Sequence, residues 1–305
     1  MEKTAVTIGK FDGLHIGHQK LISRMTENAK KYNLKTVVFS FFPPPAAIIT
    51  GEAVKGIYSR EEKRALVEAS GADSYIEYDF MELADMPPEA FVKEILSEKL
   101  RCGMLIVGEG FRFGKNKTGD NTMLGSVCAD MGMKLVTVSP IAGPDGNLVS
   151  SSRIRERITS CDFSGAREML GRPYYISGIV KHGKKIGRGF GFPTVNVPVP
   201  PDKFTPKNGV YVSGVLYDGK QYPGVTNIGV NPTVSGGAIK CESFIFDFDK
   251  IIYNEKITVN FYEYIRDEMS FDSIERLRGQ IAEDTRAAME YWNANGFIHD
   301  NEIIL

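Results

Sequence analysis

The chain has 305 residues, 42% hydrophobic and 25% charged, with 37 basic against 38 acidic side chains and a formal net charge of −1. That length predicts two domains of ordinary size, each able to bury a core. The balanced charge argues against a general nucleic-acid binder, no apolar run reaches the length of a membrane span, and the N-terminus lacks the apolar core of a signal peptide.

Apolar runs at 4–9, 34–41, 74–80, 103–108 and 134–139 predict strands, with helical patterns between them near 17–31, 59–70, 88–100 and 121–131. Strand–helix alternation at this spacing implies βαβ units and a parallel sheet covered on both faces. Ligands bind such sheets outside the carboxyl ends of the strands. The loop after the first run reads Gly9-Lys10-Phe11-Asp12-Gly13-Leu14-His15-Ile16-Gly17-His18 and opens into an amphipathic stretch. His15 and His18 would share one face at a helix start, where free N–H groups and the helix dipole favour a phosphate. Two imidazoles there suit a reaction in which negative charge grows at phosphorus and on a leaving pyrophosphate. A pair of surface histidines is the plainer alternative.

Two more segments belong with this loop. Gly108-Glu109-Gly110-Phe111-Arg112-Phe113-Gly114 follows a predicted strand and suits a ring system or a ribose, or else a glycine-rich surface loop. Ser150-Ser151-Ser152-Arg153-Ile154-Arg155 puts hydroxyls at a predicted helix start with arginines inside its first turn. Cations there oppose the helix dipole, so a phosphate partner explains Arg155 better than capping does. The helical stretch at 153–170 ends at Leu170-Gly171-Arg172-Pro173. It marks the boundary between predicted domains at residues 1–160 and 161–305.

Residues 178–196 concentrate Gly178, Gly183, Gly187, Gly189 and Gly191 with Lys184, Lys185 and Arg188, then run into Phe192-Pro193-Thr194-Val195-Asn196. Glycines let the backbone close on an anion. Thr194 and Asn196 lie on one face of an extended segment, and their neutral oxygens suit Mg²⁺ beside phosphates. This predicts a nucleotide-phosphate and magnesium site without the Gly-Lys-Ser/Thr of a Walker loop. A glycine-rich turn between barrel strands is the alternative. Downstream, Asp218-Gly219 separates Val210–Tyr217 from Lys220–Val225, a hairpin signal; further strands are predicted at 242–248 and 256–264. The closing helix shows Asp272 with Glu275 as a capping box. Ile274, Leu277, Ile281, Thr285, Ala288 and Trp292 form a face at helical spacing, read as core packing. This half is predicted to be an antiparallel barrel with a packed C-terminal helix. Four scattered cysteines, none in a Cys-x-x-Cys pair, suggest neither zinc nor a disulfide framework, and with the other features point to a reducing cytoplasm.

Taken in order, the histidine loop, Phe-Arg-Phe-Gly, Ser-Ser-Ser-Arg-Ile-Arg and Gly-Phe-Pro-Thr-Val-Asn make the chain resemble the bacterial bifunctional riboflavin kinase/FAD synthetase family over about residues 4–292. Gly209-Val210-Tyr211, Val225-Thr226-Asn227-Ile228-Gly229 and Asn231-Pro232-Thr233 fit it too. The resemblance implies a Rossmann-like nucleotidylyltransferase domain followed by a β-barrel riboflavin kinase domain. The barrel would phosphorylate riboflavin to FMN, and the first domain would transfer AMP from ATP to FMN, giving FAD and pyrophosphate. It implies Thr194 and Asn196 as the magnesium- and phosphate-binding pair, Glu242 as catalytic base, and Arg266 closing over the flavin. In the first domain His15 and His18 would stabilise the transition state and Arg155 would hold phosphate. The same motifs supply the binding residues expected around ATP and flavin: Gly9, Phe11, Asp12, Gly13, Phe111, Arg112, Phe113 and Ser151, then Gly183, Lys184, Gly187, Gly191, Pro193 and Asn227. Expected partners are small-molecule flavins and ATP, without nucleic acid or membrane; the sequence allows self-association. The chain departs from the family at Pro44, where histidine is common, at Gly110, where a polar residue usually stands, at Ser152, where threonine is usual, and at Phe244, often histidine. Two further readings therefore stand beside the bifunctional one: a riboflavin kinase with a degenerate N-terminal domain, and a flavin-binding regulator without turnover.

Overall fold

The computed structural model describes residues 2–51, 53–182, 192–230 and 239–296. They fall into two compact units: one holds the residues up to Ser151 apart from Ile57–Ser59, the other those three and the residues from Ser152 on.

The first unit is built on β1 (Thr4–Ile8), β2 (Lys35–Phe42), β3 (Ser74–Asp79), β4 (Cys102–Gly108) and β5 (Lys134–Val138), in the order β3-β2-β1-β4-β5, all parallel. Ala5 to Ile8, Val37 to Phe39 and Met104 to Val107 are buried in unbroken runs, as strands covered on both faces require. The connecting helices are α1 (Ile16–Tyr32), α2 (Pro45–Thr50), α3 (Arg60–Ala69), α4 (Phe80–Leu83), α5 (Pro88–Ala90) and α6 (Asn121–Asp130). The helix predicted at 88–100 continues from α5 as π-helical turns over Phe91–Lys99, burying Phe91, Val92, Ile95 and Leu96 against the sheet. β1 bonds to β2 on one side and β4 on the other. The strand order reverses at β1, and the loops after β1 and β4 flank that switch point, where α/β sheets open a ligand crevice.

The second unit opens with α7 (Ser151–Thr159), whose first residue still belongs to the first unit, and α8 (Phe163–Leu170). Its strands are β6 (Tyr174–Ile179), β7 (Thr194–Pro198), β8 (Gly209–Tyr217), β9 (Lys220–Val230), β10 (Ile239–Ile245) and β11 (Lys256–Arg266), and α9 (Ile274–Asn295) follows them. The strands order as β6-β11-β8-β9-β10-β7, every pair antiparallel. Just past β6, Lys181 N–H donates to Asn196 C=O of β7 at 2.8 Å, so the sheet curls until its edges meet as a barrel. Asp218 (φ 50°) and Gly219 (φ 70°) both take the left-handed conformation that a two-residue hairpin turn needs. Inside, Phe163, Tyr174, Tyr211 and Phe261 are packed ring to ring.

Four sequence expectations shift. The strand predicted at 242–248 spans Ile239–Ile245, because Phe246 N–H turns back to Pro223 C=O at 2.8 Å and Asp247 goes left-handed (φ 50°). The single helical stretch at 153–170 is two helices, broken where Cys161 is left-handed (φ 61°) and Asp162 caps α8 by accepting from Gly165 N–H at 2.9 Å. The cap of α9 is Ser273, one residue after Asp272; its hydroxyl accepts from Arg276 N–H at 3.2 Å, while Asp272 pairs with the Arg276 side chain at 3.1 Å. Of the predicted apolar face only Ala288 and Trp292 join the core, against Val212, Phe246 and Tyr262. Ile274 is 51% exposed, and Leu277 and Ile281 line a cavity instead.

Candidate active sites

In the first unit the chemistry-bearing residues sit where β1 gives way to α1. Phe11 (φ 47°), Gly13 (φ 77°) and Leu14 (φ 39°) are all left-handed. Such positions cost side-chain-bearing residues about 1–3 kcal/mol each and cluster at functional sites. The turn they make delivers His15 to the N-cap of α1 and His18 to its first turn. The two imidazoles stack, ring centroids 3.7 Å apart and planes 19° from parallel. Phe11, fully buried, lies 5.2 Å from the His18 ring, and a Cβ at Gly9 would meet the Phe11 ring at 3.3 Å. Phe11 and Gly9 are thus the floor under the histidines. Gly17 has the same logic, since its Cβ would press on the His15 ring at 3.2 Å. Ser151 Oγ donates to Asp12 C=O at 2.9 Å and fixes the outer side of the turn.

The loop after β4 supplies the opposite wall. Phe111 stacks on Phe113 at 5.7 Å, and Phe113 is buried over Gly119, which has no room for a Cβ. Arg112 pairs with Asp120 at 3.4 Å. Asn121 Nδ2 donates to Gly108 C=O (3.0 Å) and Glu109 C=O (2.7 Å), fastening the turn that carries Gly110. A Cβ at Gly110 would meet nothing within 4 Å, so packing does not demand glycine there. Pro44 caps the N-terminus of α2 without a side-chain hydrogen bond. Arg155 lies on α7 in the second unit, its guanidinium 5.7 Å from the Phe204 ring.

Glu77 is a charge centre that sequence reading missed. Its side chain is 1% exposed, and Arg60, Lys63 and Arg64 reach it at 2.6, 3.0 and 3.5 Å. Burial alone would raise its pKa, but the hydrogen bond from Arg60 and the charge and hydrogen bond of Lys63 hold it below the usual carboxylate range.

In the barrel, register does the assembling. Glu242 on β10 stands opposite Asn196 on β7 and opposite Asn227 on β9, while Phe244 pairs with Thr194 and Val225. Cross-strand partners share a face, so Thr194, Asn196, Glu242 and Asn227 point together. A cavity of about 340 Å³ is lined by Thr194, Asn227, Glu242, Arg266, Glu268 and Asp284 among polar residues, with Phe192, Val210, Phe271, Leu277 and Ile281 as its apolar wall. A second cavity, about 220 Å³, has Pro193, Thr194 and Asn196 on one side and the turn Phe248–Tyr253 on the other. Thr194 belongs to both. Arg266 does not reach freely into the first cavity. Its Nε and Nη2 donate to the two oxygens of buried Asp284 at 2.8 and 2.7 Å, and Nη1 donates to Asp267 C=O at 2.9 Å. Asp284 is a buried cavity carboxylate the sequence reading passed over; a carboxylate between Ile281 and Ala288 on an apolar helical face was the available signal. Gly183, Lys184, Lys185, Gly187, Arg188, Gly189, Gly191 and Asn231-Pro232-Thr233 lie outside the described residues.

Among the described residues no group of three or more acidic, histidine or cysteine side chains could hold a metal. The four cysteines are free, and burial pushes Cys102 and Cys241 up to about 12 and Cys128 up to about 11. Raised this far, Cys102, Cys128 and Cys241 stay protonated in neutral solution.

Comparison with known proteins gives this architecture its class. Residues 1–153 match the FAD synthetase family and residues 170–292 the riboflavin kinase family, which makes the chain a two-domain flavin-nucleotide transferase. The bifunctional riboflavin kinase/FMN adenylyltransferase of Pseudomonas fluorescens is 35% identical over 284 residues, covering 92% of this chain and 91% of that one. The Escherichia coli K12 protein of the same description is 34% identical over 294 residues, covering 95% and 93%. The chain belongs to the family of bifunctional riboflavin kinase/FMN adenylyltransferases. A solved structure described as a macrolide-efflux protein from Streptococcus pneumoniae superposes with a TM-score of 0.81 at 28% identity over 94% of each chain. The efflux description belongs to that protein; among the described residues here no helix is long and apolar enough to cross a membrane. With both family models matched, the kinase-only and regulator readings are not favoured.

Proposed function

We infer that the chain makes FMN from riboflavin and ATP in its barrel, and FAD from FMN and ATP, with release of pyrophosphate, in its α/β unit. We assign adenylyl transfer to residues 1–160 and phosphorylation to residues 161–305. One observation carries the kinase reading: Glu242 sits between Asn196 and Asn227 on one face of three paired strands, inside a cavity that shares Thr194 with a second one. A carboxylate there takes the proton from the terminal hydroxyl of the flavin side chain as that oxygen attacks the γ-phosphorus of ATP; ADP leaves. The larger cavity suits the flavin and the smaller one the nucleotide, with Pro193 and Thr194 between them.

The donor set on β7 fits Mg²⁺. Thr194 Oγ1 and the Asn196 amide oxygen are hard, neutral oxygens two residues apart, and such an ion takes its remaining ligands from phosphates and water. When bound, it offsets charge on the transferring phosphoryl group. Thr194 and Asn196 would hold its site, Asn227 stands beside Glu242 on the same rung, and Asp284 fixes Arg266 at the wall of the cavity.

In the α/β unit, the N–H groups at the start of α1 and the His15 and His18 imidazoles receive the phosphates of ATP and stabilise charge on the α-phosphorus as the FMN phosphate displaces pyrophosphate. Gly9, Phe11, Asp12, Gly13 and Ser151 shape that turn, and Phe111, Arg112 and Phe113 wall the crevice. A magnesium-dependent, flavin- and ATP-binding enzyme with free thiols suits the cytoplasm.

Chromatography of flavins after incubation with Mg·ATP tests this directly. Riboflavin should yield FMN and FAD, and FMN alone should yield FAD. FMN accumulating without FAD would overturn the bifunctional reading, and unchanged riboflavin would overturn the kinase.

A further inference from the structure

The cavity face of the barrel is a ladder of three rungs. Thr194, Phe244 and Val225 form the first, Asn196, Glu242 and Asn227 the second, and Pro198, Lys240 and Gly229 the third. Alternate residues of a strand lie about 7 Å apart, so each rung is displaced from the next by that distance. Glu268, in the segment between β11 and α9, lines the same cavity and sets its carboxylate down on the third rung. A Cβ at Gly229 would stand only 2.0 Å from Glu268 Oε1, so the carboxylate occupies the space a side chain would fill. Asn227 Nδ2 donates to the same oxygen at 3.4 Å. Glu268 thus lies one rung beyond Glu242, on the side away from Thr194.

We propose that Glu268 is a specificity-determining residue that reads the secondary hydroxyls of the flavin side chain. The inference rests on the cavity being the flavin site of the kinase. Glu242 and Glu268 line one cavity with an apolar wall of Val210, Phe271, Leu277 and Ile281, so a polyol chain whose terminal hydroxyl meets Glu242 and whose ring meets that wall carries its secondary hydroxyls through the space that Glu268 faces. A carboxylate only accepts hydrogen bonds, so it accepts from the hydroxyls of a polyol and gains nothing from a plain alkyl chain. A site built to hydrogen-bond a hydroxyl rejects the analogue lacking it, because its own polar group is then desolvated without a partner.

The test compares riboflavin with its hydroxypentyl analogue, which keeps the ring, chain length and terminal hydroxyl but lacks the secondary hydroxyls. Binding is read by quenching of flavin fluorescence and turnover by phosphorylation with Mg·ATP. Glu268→Ala should weaken riboflavin binding and raise its KM roughly tenfold, as expected for loss of a charge-assisted hydrogen bond, while the analogue changes less than about twofold. Gly229→Ala should give the same pattern with Glu268 intact, because its methyl displaces the flexible end of that side chain and not the backbone. Equal losses for both flavins, or none for riboflavin, would overturn the proposal. A wild-type chain that binds both flavins but phosphorylates neither would sink the kinase reading instead, and the binding ratio would still decide the role of Glu268.

Discussion

The two sites are put together in opposite ways. In the α/β unit the reactive groups are neighbours in sequence: His15 and His18 follow one turn whose left-handed residues Phe11, Gly13 and Leu14 aim them at the switch point of the sheet. In the barrel, Asn196, Asn227 and Glu242 lie on three separate strands, and only strand register makes them neighbours. A loop site depends on local backbone strain. A rung site depends on pairing along whole strands, so it tolerates loss of one supporting contact better than slippage by one residue, which would turn every side chain to the other face.

The largest expected effects ask whether the sites are independent. His18→Ala should cut FAD formation from FMN by about 10²-fold or more and leave FMN formation from riboflavin intact; Glu242→Ala should do the reverse, on the scale typical of a lost general base. If either variant lost both activities in a flavin assay, the division into two self-sufficient sites would fail.

Next in size is the support of the α/β sheet. Glu77→Gln leaves Arg60, Lys63 and Arg64 around a neutral side chain and should lower the stability of that unit by about 2 kcal/mol in urea unfolding, the scale of hydrogen bonds to a charged group, with Lys63 as the most buried partner left unpaired. The pH sign follows from the depressed pKa of Glu77. The carboxylate contributes stability in full above its unfolded value, near pH ~4.3, and that contribution is lost as pH falls through the lower folded value. Wild type should therefore lose stability more steeply than Glu77→Gln in the acid range. Parallel slopes would show that the cluster adds nothing.

A smaller effect is expected at the barrel mouth. Asp284→Asn weakens the bidentate hold on Arg266 and should raise KM for riboflavin several-fold, with kcat within about twofold, because Asp284 acts through Arg266 and not on the reacting atoms. A collapse of kcat with unchanged KM would place Asp284 in the chemistry. Smallest of all, Thr226 sits behind the central rung, where its hydroxyl contacts Ser213 Oγ at 2.6 Å and Ser243 Oγ at 2.7 Å. Thr226→Val should cost about 1–2 kcal/mol for the hydroxyls left unmet and change kinase turnover less than about threefold. A larger loss of turnover would mean that these hydroxyls, and not the backbone ladder, hold the register.

The legibility of the sequence follows the same division. Every parallel strand of the first unit is predicted to within two residues, because buried strands show as unbroken apolar runs and the helices between them carry their own period. The histidine turn is legible because glycine and two imidazoles within ten residues are a local signal. The hairpin at Asp218-Gly219 is legible for the same reason. The edge strand β6 carries no such mark, and β10 is misplaced by three residues because Asp247 accepts a left-handed backbone that nothing beside it announces.

What the sequence by itself determined is the order of elements, the two-domain plan, and the identity of side chains able to do phosphoryl chemistry. The tertiary structure alone decided which of them meet. Hydrogen-bond pairing across β7, β10 and β9 places Glu242 between two asparagines. The fold of the β11–α9 segment brings Glu268 onto Gly229. The burial of Asp284 on the inward face of α9 turns Arg266 from a free cation into one arm of a fixed clamp. These are through-space relations between residues far apart in the chain, and local propensity carries no information about them.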